Sequence, residues 1–332
     1  HLKPKTTMTY LENSKQYTGS DLENIFFRPM LTGESAQDLG VRVLYNMPQP
    51  THVQLWDGQR NILQKFTSAG WAGGKAATKY EKTVNLNRVK AELGFSAANY
   101  FSMVYEKVSS LVNTHMDDLS GTELEQAETA LFKQALAENI RVTMWIGDTS
   151  AASGYNTFDG LLKRINGLVD DDGVYNFSYQ AAALEDPAYV VELFDKLWAG
   201  ADPRIPGLKA DDRLAYFVSS DIYRLYEKYL DAKGADAAYA DAMNGRRTLA
   251  YHGIPVVDVR LGSYLGATSF RQSFVMLTDR RNLVLAVNTA DMPGNEVRMW
   301  YNPDEMENRQ RAVFMAGTQI LDEALISFAY KQ

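Results

Sequence analysis

The sequence predicts an α+β fold, and three observations support this. Apolar residues recur at helical spacing over 122–146, where Thr122 can cap the helix and Glu125 can close a capping box. Alternating apolar and polar residues over 46–95 predict strands before this helix, and a C-terminal stretch dense in β-formers predicts strands after it. The sequence shows no internal repeat, so we expect mixed helices and strands rather than a repeat array.

The composition limits the functions that the chain can perform. Its 332 residues, 45% of them hydrophobic, can bury a sizeable core. A formal net charge of −7 argues against a general nucleic-acid binder but allows a protein that encloses DNA without gripping it. The absence of cysteine excludes disulfides, cysteine-based zinc sites and a thiol nucleophile. No apolar run is long enough for a membrane span, and the start at His1 leads us to expect a processed or trimmed chain.

The first 95 residues look poor in core-forming contacts. Residues 1–45 are polar apart from the pair Phe26-Phe27, and predict an extended arm whose apolar anchors need another surface. Over 46–95, a hairpin signal at Asp57-Gly58 and a glycine-rich tract predict a long two-stranded ribbon with a soft tip. Such a ribbon is marginal alone in water and should lie against something. Trp71, set between glycines, is expected to anchor on a neighbouring subunit.

The remaining elements follow from periodicity and turn residues. The stretch "LVDDDGVYNF" predicts a strand pair turning at Asp172-Gly173, and residues 279–282 predict the turn of a second strand pair. Further elements are expected in this order: a helix over 96–112, a helix begun by Asp186 and Pro187, a strand at "RLAYFVSS", a helix ended by Gly234, and a strand at "GIPVVDVRL".

The stretch "NIRVTMWIGDTSAASG" raises the question of whether Asp148 is a catalytic acid or part of a connecting loop. Gly147 is the residue type that ends helices, and Asp148 can bond its own backbone. The small residues 149–154 allow a flexible connection before Gly160 returns the chain to the core. We therefore expect residues 148–158 to form a loop that projects towards a neighbouring subunit.

Three patterns suggest chemistry, and a simpler interpretation is favoured for each. "AGWAGGKAA" has Ala69 and Ala76 where a phosphate-binding loop needs glycine and a hydroxyl residue. The aspartates at 170–172 lack the alternate spacing of a calcium loop and favour a solvated turn. His252 could act as a base beside an acid such as Asp258, but no nucleophile motif accompanies it. We therefore predict no catalytic, cofactor-binding or metal-binding residue.

The order of these segments resembles the major capsid proteins of tailed double-stranded-DNA bacteriophages, which have the Hong Kong 97-like fold. In that family a long spine helix runs into a Gly-Asp loop and a Gly-Leu segment, similar to "LEQAETALFKQALAENIRVTMWIGD" and "FDGLLKRI" here. "YHGIPVVDV" is similar to the Gly-x-Pro-Val-Val stretch of the family's axial domain. "RQRAVFMAGTQILDEALISFAYKQ" is similar to the family's last segment.

The resemblance implies a domain plan and a structural role. The implied parts are an N-terminal arm at 1–45, an extended β-ribbon loop at 46–95, a peripheral domain at 96–182 and 295–332 with spine helix 122–146, and an axial domain at 183–294. The implied function is self-assembly into hexamers and pentamers of an icosahedral phage head around double-stranded DNA, without enzymatic activity or a cofactor. The implied location is the virion after assembly in the host cytoplasm, and the implied partners are portal, scaffold or protease, and decoration proteins, with no membrane.

The resemblance also marks residues for contacts between subunits: Phe26, Phe27, Trp56, Trp71, Lys75, Lys79, Asp148 and Tyr155. Some members of the family link a ribbon lysine to an asparagine of the adjacent subunit. Lys75, Lys79 or Lys82 could meet Asn302 or Asn308 here, but no motif pairs them, so we expect noncovalent locking. Two alternatives stay open: an encapsulin-type cargo shell and, from another class, a hydrolase that uses His252 with a carboxylate.

Overall fold

The computed structural model describes residues 15–32, 40–46, 51–56, 79–96, 123–234, 249–264, 270–271, 273–288, 295–305 and 307–332. Over these residues the chain is a mixture of helices and strands, so the predicted α+β class is confirmed. The strands are β1 (Lys15–Tyr17), β2 (Arg42–Tyr45), β3 (Thr51–Trp56), β4 (Lys79–Val84), β5 (Asn87–Ser96), β6 (Tyr175–Tyr179), β7 (Leu214–Val218), β8 (Leu249–Tyr251), β9 (Ile254–Asp258), β10 (Phe274–Asp279), β11 (Leu283–Asn288), β12 (Glu296–Asn302), β13 (Glu307–Ile320) and β14 (Ser327–Lys331).

The helices lie between these strands. They are α1 (Gly19–Asp21), α2 (Arg28–Thr32), the spine helix α3 (Glu123–Ile146), α4 (Leu161–Asp170), α5 (Tyr189–Ala199), α6 (Ile205–Lys209) and α7 (Ser220–Ala232). A π-helical stretch, Leu22–Phe27, joins α1 to α2, and short 3-10 turns occur at Ala181–Glu185, Arg280–Asn282 and Glu323–Leu325. The spine helix begins one residue after its predicted start and ends where predicted.

Sheet 1 is built around the long strand β13. The described strands run in the order β1-β12-β13-β11-β2. β5 also pairs with β13, outside this order. Along β13 the side chains alternate, as a half-buried strand requires: Ala312, Phe314 and Ala316 are buried. These residues share one hydrophobic core with Phe132 and Leu136 of the spine helix. The spine helix therefore packs over one face of sheet 1.

Sheet 2 is covered on both faces. Its described strands run in the order β6-β14-β10-β7-β9-β8. On one face Trp145, near the end of the spine helix, lies 5.6 Å from the ring of Phe217 on β7. On the other face Phe194 of α5 lies 4.7 Å from the ring of Tyr216, the neighbouring residue on β7. Because both faces are buried, β7 is a continuous apolar run and β10 is buried along its whole length.

The strands β10 and β11 do not pair with each other, contrary to the predicted second strand pair. β10 pairs with β7 and β14 in sheet 2, whereas β11 pairs with β13 and β2 in sheet 1. The carboxylate of Asp279 accepts a 2.8 Å hydrogen bond from the Arg281 amide and caps a 3-10 turn that sends the chain from one sheet to the other.

The same crossing divides the strands of the predicted peripheral and axial ranges between both sheets, and the domain plan stays a prediction. β11 lies in the range predicted as axial, but belongs to sheet 1 with β12 and β13. β6 and β14 lie in the ranges predicted as peripheral, but belong to sheet 2. The two sheets therefore exchange strands across residues 182 and 295, and neither sheet is a continuous segment of the chain.

Two further predictions are corrected by helices. The stretch "LVDDDGVYNF" begins inside α4, whose buried residues Leu161, Leu162, Ile165 and Val169 follow helical spacing, so Asp172 ends a helix instead of turning a strand pair. Residues 19–32 of the predicted extended arm are helical. The predicted strand "RLAYFVSS" and the helix that ends at Gly234 are confirmed. The predicted helix over 96–112 lies outside the described residues.

Candidate intersubunit site

The predicted ribbon exists as a separate two-stranded sheet. β3 and β4 pair antiparallel from Thr51 opposite Val84 to Trp56 opposite Lys79. β5, which falls inside the predicted ribbon range of 46–95, belongs to sheet 1 instead. The turn signal at Asp57-Gly58 lies outside the described residues. The ribbon stem is therefore formed by residues 51–56 and 79–84.

The root of the ribbon is fixed to the body of the same chain. Val53 and Val84 are 3% and 0% exposed and belong to the core that also contains α5 and α7. The Gln319 amide donates a 2.9 Å hydrogen bond to the carbonyl of Thr83, and Lys82 forms an ion pair with Glu323. These contacts hold the root of the ribbon in place against the body of the chain.

The predicted ribbon contacts are only partly placed. Trp56 and Lys79 face each other as the last paired residues of the stem, but their side chains lie outside the described set. Trp71 and Lys75 also lie outside the described residues. The intersubunit roles of these four residues stay predictions.

The asparagines considered for a crosslink differ in accessibility. Asn308 on β13 is 1% exposed, and within the described residues neither of its amide atoms has a hydrogen-bond partner. Asn302 at the end of β12 is partly exposed. In this conformation the Asn302 side chain is therefore accessible from outside the chain, whereas the Asn308 side chain is not. The expectation of noncovalent locking stays a prediction.

The loop after the spine helix is closed by two glycines in direct backbone contact. The Gly147 amide donates to the Thr143 carbonyl at 2.8 Å, and the Gly160 amide donates to the Gly147 carbonyl at 2.8 Å. A Cβ on Gly147 would lie 2.1 Å from the carbonyl oxygen of Phe158, and a Cβ on Gly160 would lie 2.6 Å from the nitrogen of Gly147. Only residues without a side chain allow the two ends of the loop to approach this closely.

At the base of this loop, Lys163 forms ion pairs with two carboxylates. The Lys163 ammonium lies 2.8 Å from Oδ1 of Asp148 and 2.7 Å from Oδ1 of Asp159. The same oxygen of Asp148 accepts the amide of Ser150 at 2.9 Å, and that of Asp159 accepts the amide of Thr149 at 2.9 Å. Asp148 is therefore a structural acceptor that shapes the loop, as the sequence suggested, and Lys163 and Asp159 are partners that were not predicted.

These contacts shift the ionisation of all three groups. The hydrogen bond from Lys163, followed by those from Ser150, lowers the pKa of Asp148 from 3.8 to about 2. Burial works to raise the pKa of Asp159, but the hydrogen bonds from Lys163 and Thr149 outweigh it and the pKa is lowered. Burial works to lower the pKa of Lys163, but the two carboxylates outweigh it and the pKa is raised. At neutral pH the cluster is held in its fully ionised form.

The loop should loosen in acid. Because the pKa of Asp148 is lower in the folded chain than its ordinary value of 3.8, its stabilising contribution is complete above about pH 4 and is lost as the pH falls towards 2. Hydrogen exchange followed by mass spectrometry, corrected for the intrinsic rate, should show protection of peptides covering 147–160 decreasing over this interval. The variant Asp148→Asn should already show reduced protection at pH 7 and a weaker acid transition. Equal protection at pH 5 and pH 2 in the parent chain would contradict this expectation.

Tyr155 faces its own chain. Its ring packs edge-on against Tyr264 with ring centres 5.8 Å apart, and the Tyr264 hydroxyl donates to Glu138 of the spine helix at 3.0 Å. The carbonyl of Tyr155 accepts the amide of Asp148 at 2.9 Å. Both ends of the predicted projecting loop are thus bound within the subunit, and its exposed residues are 149, 150 and 152–154. The loop's contact with a neighbour stays a prediction for these exposed residues.

The prediction for Phe26 and Phe27 is corrected. Both side chains are 0% exposed. Phe27 lies 4.9 Å from the ring of Phe314 on β13, and Phe26 lies 6.1 Å from the ring of Phe132 on the spine helix. The other surface that the pair requires is therefore supplied by the same chain, so these rings are not available to a neighbouring subunit in this conformation.

His252 is a turn residue. It is exposed, has a φ of +49°, and forms the hairpin between β8 and β9 together with Gly253 at +80°. Asp258 stands at the opposite end of β9, four strand residues beyond Ile254, or about 13 Å along the strand. The predicted base and acid are therefore not brought together. Asp258 instead accepts a 2.8 Å hydrogen bond from the Ser220 hydroxyl.

Neither a metal-binding cluster nor a membrane-spanning helix occurs in the described part of the chain. No three His, Cys, Asp or Glu side chains there come close enough to hold a metal ion together. None of the described helices is long and apolar enough to cross a membrane.

The pair Gly147-Asp148 and Asp159-Gly160 could have been found in the sequence. The two dipeptides mirror each other around a tract of small residues. This pattern indicates a loop that has, at each of its two ends, a helix-boundary glycine and an aspartate that can accept hydrogen bonds. The sequence did not show that Lys163 pairs with both aspartates, because this lysine lies inside α4 and is one of many lysines on the surface.

No protein-family model matches the chain, and no curated protein sequence matches it. A chain of the satellite phage P4 procapsid, in a structure that includes the size determination (Sid) protein, has a TM-score of 0.55 and 11% identity, covering 93% of this chain and 91% of that one. A chain from Gordonia phage Cozz has a TM-score of 0.44 and 12% identity, covering 100% and 91%.

A third solved structure is the holo-SrpI encapsulin complex from Synechococcus elongatus PCC 7942, with a TM-score of 0.44 and 8% identity, covering 86% of this chain and 84% of that one. The match to the P4 procapsid chain shows a shared fold over nearly the whole length of both chains. The Hong Kong 97-like fold named from the sequence is therefore confirmed.

Proposed function

We propose that this chain is a major capsid protein that assembles into the hexamers and pentamers of an icosahedral phage head enclosing double-stranded DNA. A fold hosts many functions and does not decide among them by itself. The observation that carries the proposal is the β3–β4 ribbon, which is anchored at its root by Val53 and Val84 but whose strands pair only with each other among the described strands. Such a ribbon gains stability when another surface covers it.

The charge of the chain fits a container. A net charge of −7 gives no general attraction to DNA phosphates, so packaged DNA can move along the inside of the shell. The proposal includes the virion as the final location and the host cytoplasm as the place of assembly. It also includes portal, scaffold or protease, and decoration proteins as partners of the assembled shell.

Electron microscopy of the expressed protein is the decisive measurement. We expect closed shells with hexamers and pentamers, on the order of 50 nm across, and nuclease-protected DNA when the shells come from infected or induced cells. Small shells that carry a co-purified enzyme instead of DNA would identify an encapsulin-type compartment. A chain that stays monomeric in all conditions, with residues 57–78 protected from protease, would contradict shell formation of either kind.

A deletion within the ribbon gives a matched control for this measurement. Removing residues 62–73 leaves β3, β4 and the anchoring contacts of Val53 and Val84 in place. The deletion variant should unfold at the same denaturant concentration as the parent chain, yet fail to form shells. Shells of normal size from this variant would show that the ribbon is not needed for assembly.

A further inference from the structure

Among the described strands, β5 is paired along only one of its two edges. One edge pairs with β13 over ten residues, from Asn87 opposite Ala316 to Ser96 opposite Glu307. No other strand in the described ranges pairs with the second edge. An edge strand presents a row of backbone donors and acceptors, and a long one is a template for a strand of another chain unless something blocks it.

The side chains of β5 divide between the two faces of sheet 1. Lys90 and Glu92 are exposed on the outer face, where their charged groups lie 2.9 Å apart. Val89, Ala91 and Leu93 lie on the inner face, towards the core. Leu93 is nevertheless 38% exposed, which is unusual for a large apolar side chain on the core-facing side of a strand. The chain's own described core therefore covers the beginning of this apolar row but not its end.

The order of these residues is self-complementary. The segment "VKAEL" consists of an apolar residue, a positive one, alanine, a negative one and an apolar one. When a second copy pairs with it antiparallel, charged residues of opposite sign face each other and apolar residues face apolar ones. We propose that β5 pairs with β5 of a second copy of this chain across a two-fold axis at Ala91. Lys90 then lies opposite the partner's Glu92, and Val89 opposite the partner's Leu93, and both pairs occur twice.

Neighbouring registers are less favourable. An axis at Lys90 places two lysines directly opposite each other, which offsets its pairing of Arg88 with the partner's Glu92, and an axis at Glu92 places two glutamates opposite each other. A shift by one residue places outer-face residues opposite inner-face residues and mismatches both faces of the joined sheet. Charges on an edge strand commonly repel further strands. Here the two central charges alternate in sign, so they select one partner and one register.

The proposed contact is isologous, as a two-fold axis requires, and it joins sheet 1 of one subunit to sheet 1 of another. The axis at Ala91 lies close to the middle of the ten-residue strand, so residues 87–95 can all pair. A single strand pair buries little surface compared with a stable interface, so the contact supports copies that are also held elsewhere. It does not depend on the shell being a phage head.

The absence of cysteine makes the register directly measurable. Opposite Cα atoms of an antiparallel pair lie about 4.5–5.5 Å apart, which suits a disulfide. Under mild oxidation, Ala91→Cys should therefore give mostly disulfide-linked dimers on a non-reducing gel. Arg88→Cys is the matched control: in this register the two copies of residue 88 lie about 20 Å apart along the strands and should not link.

Two further experiments guard against a folding defect, because Ala91 is partly buried. A mixture of the exposed single variants Lys90→Cys and Glu92→Cys should link to each other far more than either links to itself. In the Ala91→Cys background, Lys90→Glu or Glu92→Lys should each reduce linking about tenfold, and the two together should restore it. Recovery by the double exchange cannot come from a general loss of structure.

The results separate this inference from the proposed function. Shells that form without linking at residue 91 or in the mixed variants would overturn the β5 pairing and leave the capsid proposal standing. Linked dimers without shells would support the β5 pairing and overturn the capsid proposal. Equal linking at residues 88 and 91, or no effect of the single charge reversals, would overturn the register.

Discussion

Gly147→Ala and Gly160→Ala are each expected to destabilise the unassembled chain by at least about 3 kcal/mol. A Cβ on Gly160 would lie 2.6–2.8 Å from backbone atoms of Gly147, Trp145 and Thr143, and a Cβ on Gly147 would lie 2.1 Å from the carbonyl of Phe158. Backbone atoms cannot rotate away as the end of a side chain can. Relief therefore requires the spine helix to separate from the loop that follows it, which would break the Gly160-to-Gly147 hydrogen bond. Urea unfolding followed by circular dichroism measures the change.

The matched control is Gly167→Ala in α4. No atom lies within 4 Å of a Cβ at this position, and alanine is the better helix former. This variant should be neutral or stabilised by up to about 1 kcal/mol. If Gly147→Ala and Gly167→Ala unfolded at the same urea concentration, the close backbone approach would have no energetic consequence, and the loop could not be regarded as closed by the two glycines.

The spine helix was predictable because the information that specifies it is local. Its apolar stripe, its capping signal at Thr122 and the glycine at 147 all lie within or beside the element. The sequence could not show that Gly147 also had to be a glycine for the approach of Gly160, since that contact depends on where the chain returns after the 12 residues between them. Local signals predict the end of a helix but not what packs against that end.

Strand assignments were correct more often than strand partners. The segments that became β10 and β11 both read as strands, because each is a buried apolar run. Their separation into two sheets depends on the 3-10 turn at Arg280–Asn282 and on which other strands are available to pair with each of them. No periodicity within either strand encodes that choice. The assignment of strands to the two sheets differs from the domain ranges drawn from the sequence for the same reason.

In the candidate site, too, the sequence predicted the features set by local residues but not those set by distant ones. The stem of the ribbon and the acceptor role of Asp148 followed from turn chemistry and small-residue content. Phe26 and Phe27 were assigned to a neighbouring subunit because the surrounding residues are polar, which is evidence about the local segment alone. Their actual partners, Phe132 and Phe314, lie more than 100 residues further along the chain. An apolar pair in a polar segment shows that a surface is needed, but not whose surface it is.

Phe27→Ala is expected to cost about 3–5 kcal/mol of folding free energy, which is the usual loss when a buried phenylalanine ring is removed. The ring is fully buried and lies 4.9 Å from the ring of Phe314, so its removal leaves a cavity between the helical segment 19–32 and β13. Ile25→Ala, two residues away, is the control. Its side chain is 49% exposed, and the change should stay within about 0.5 kcal/mol. Urea unfolding of the unassembled chain separates the two variants.

An assembly measurement on the same variant distinguishes the intramolecular role of Phe27 from the intersubunit one. If the ring serves its own subunit, Phe27→Ala should lower the free energy of unfolding, and the fraction that remains folded should still assemble at a temperature well below its midpoint. If the ring served a neighbour, the isolated subunit would keep its stability and lose assembly instead. Since the ring has no exposed surface to offer a neighbour, we expect the first pattern. Residues 19–32 are then a part of the subunit core, while contacts of the ribbon and of β5 with other copies stay proposals.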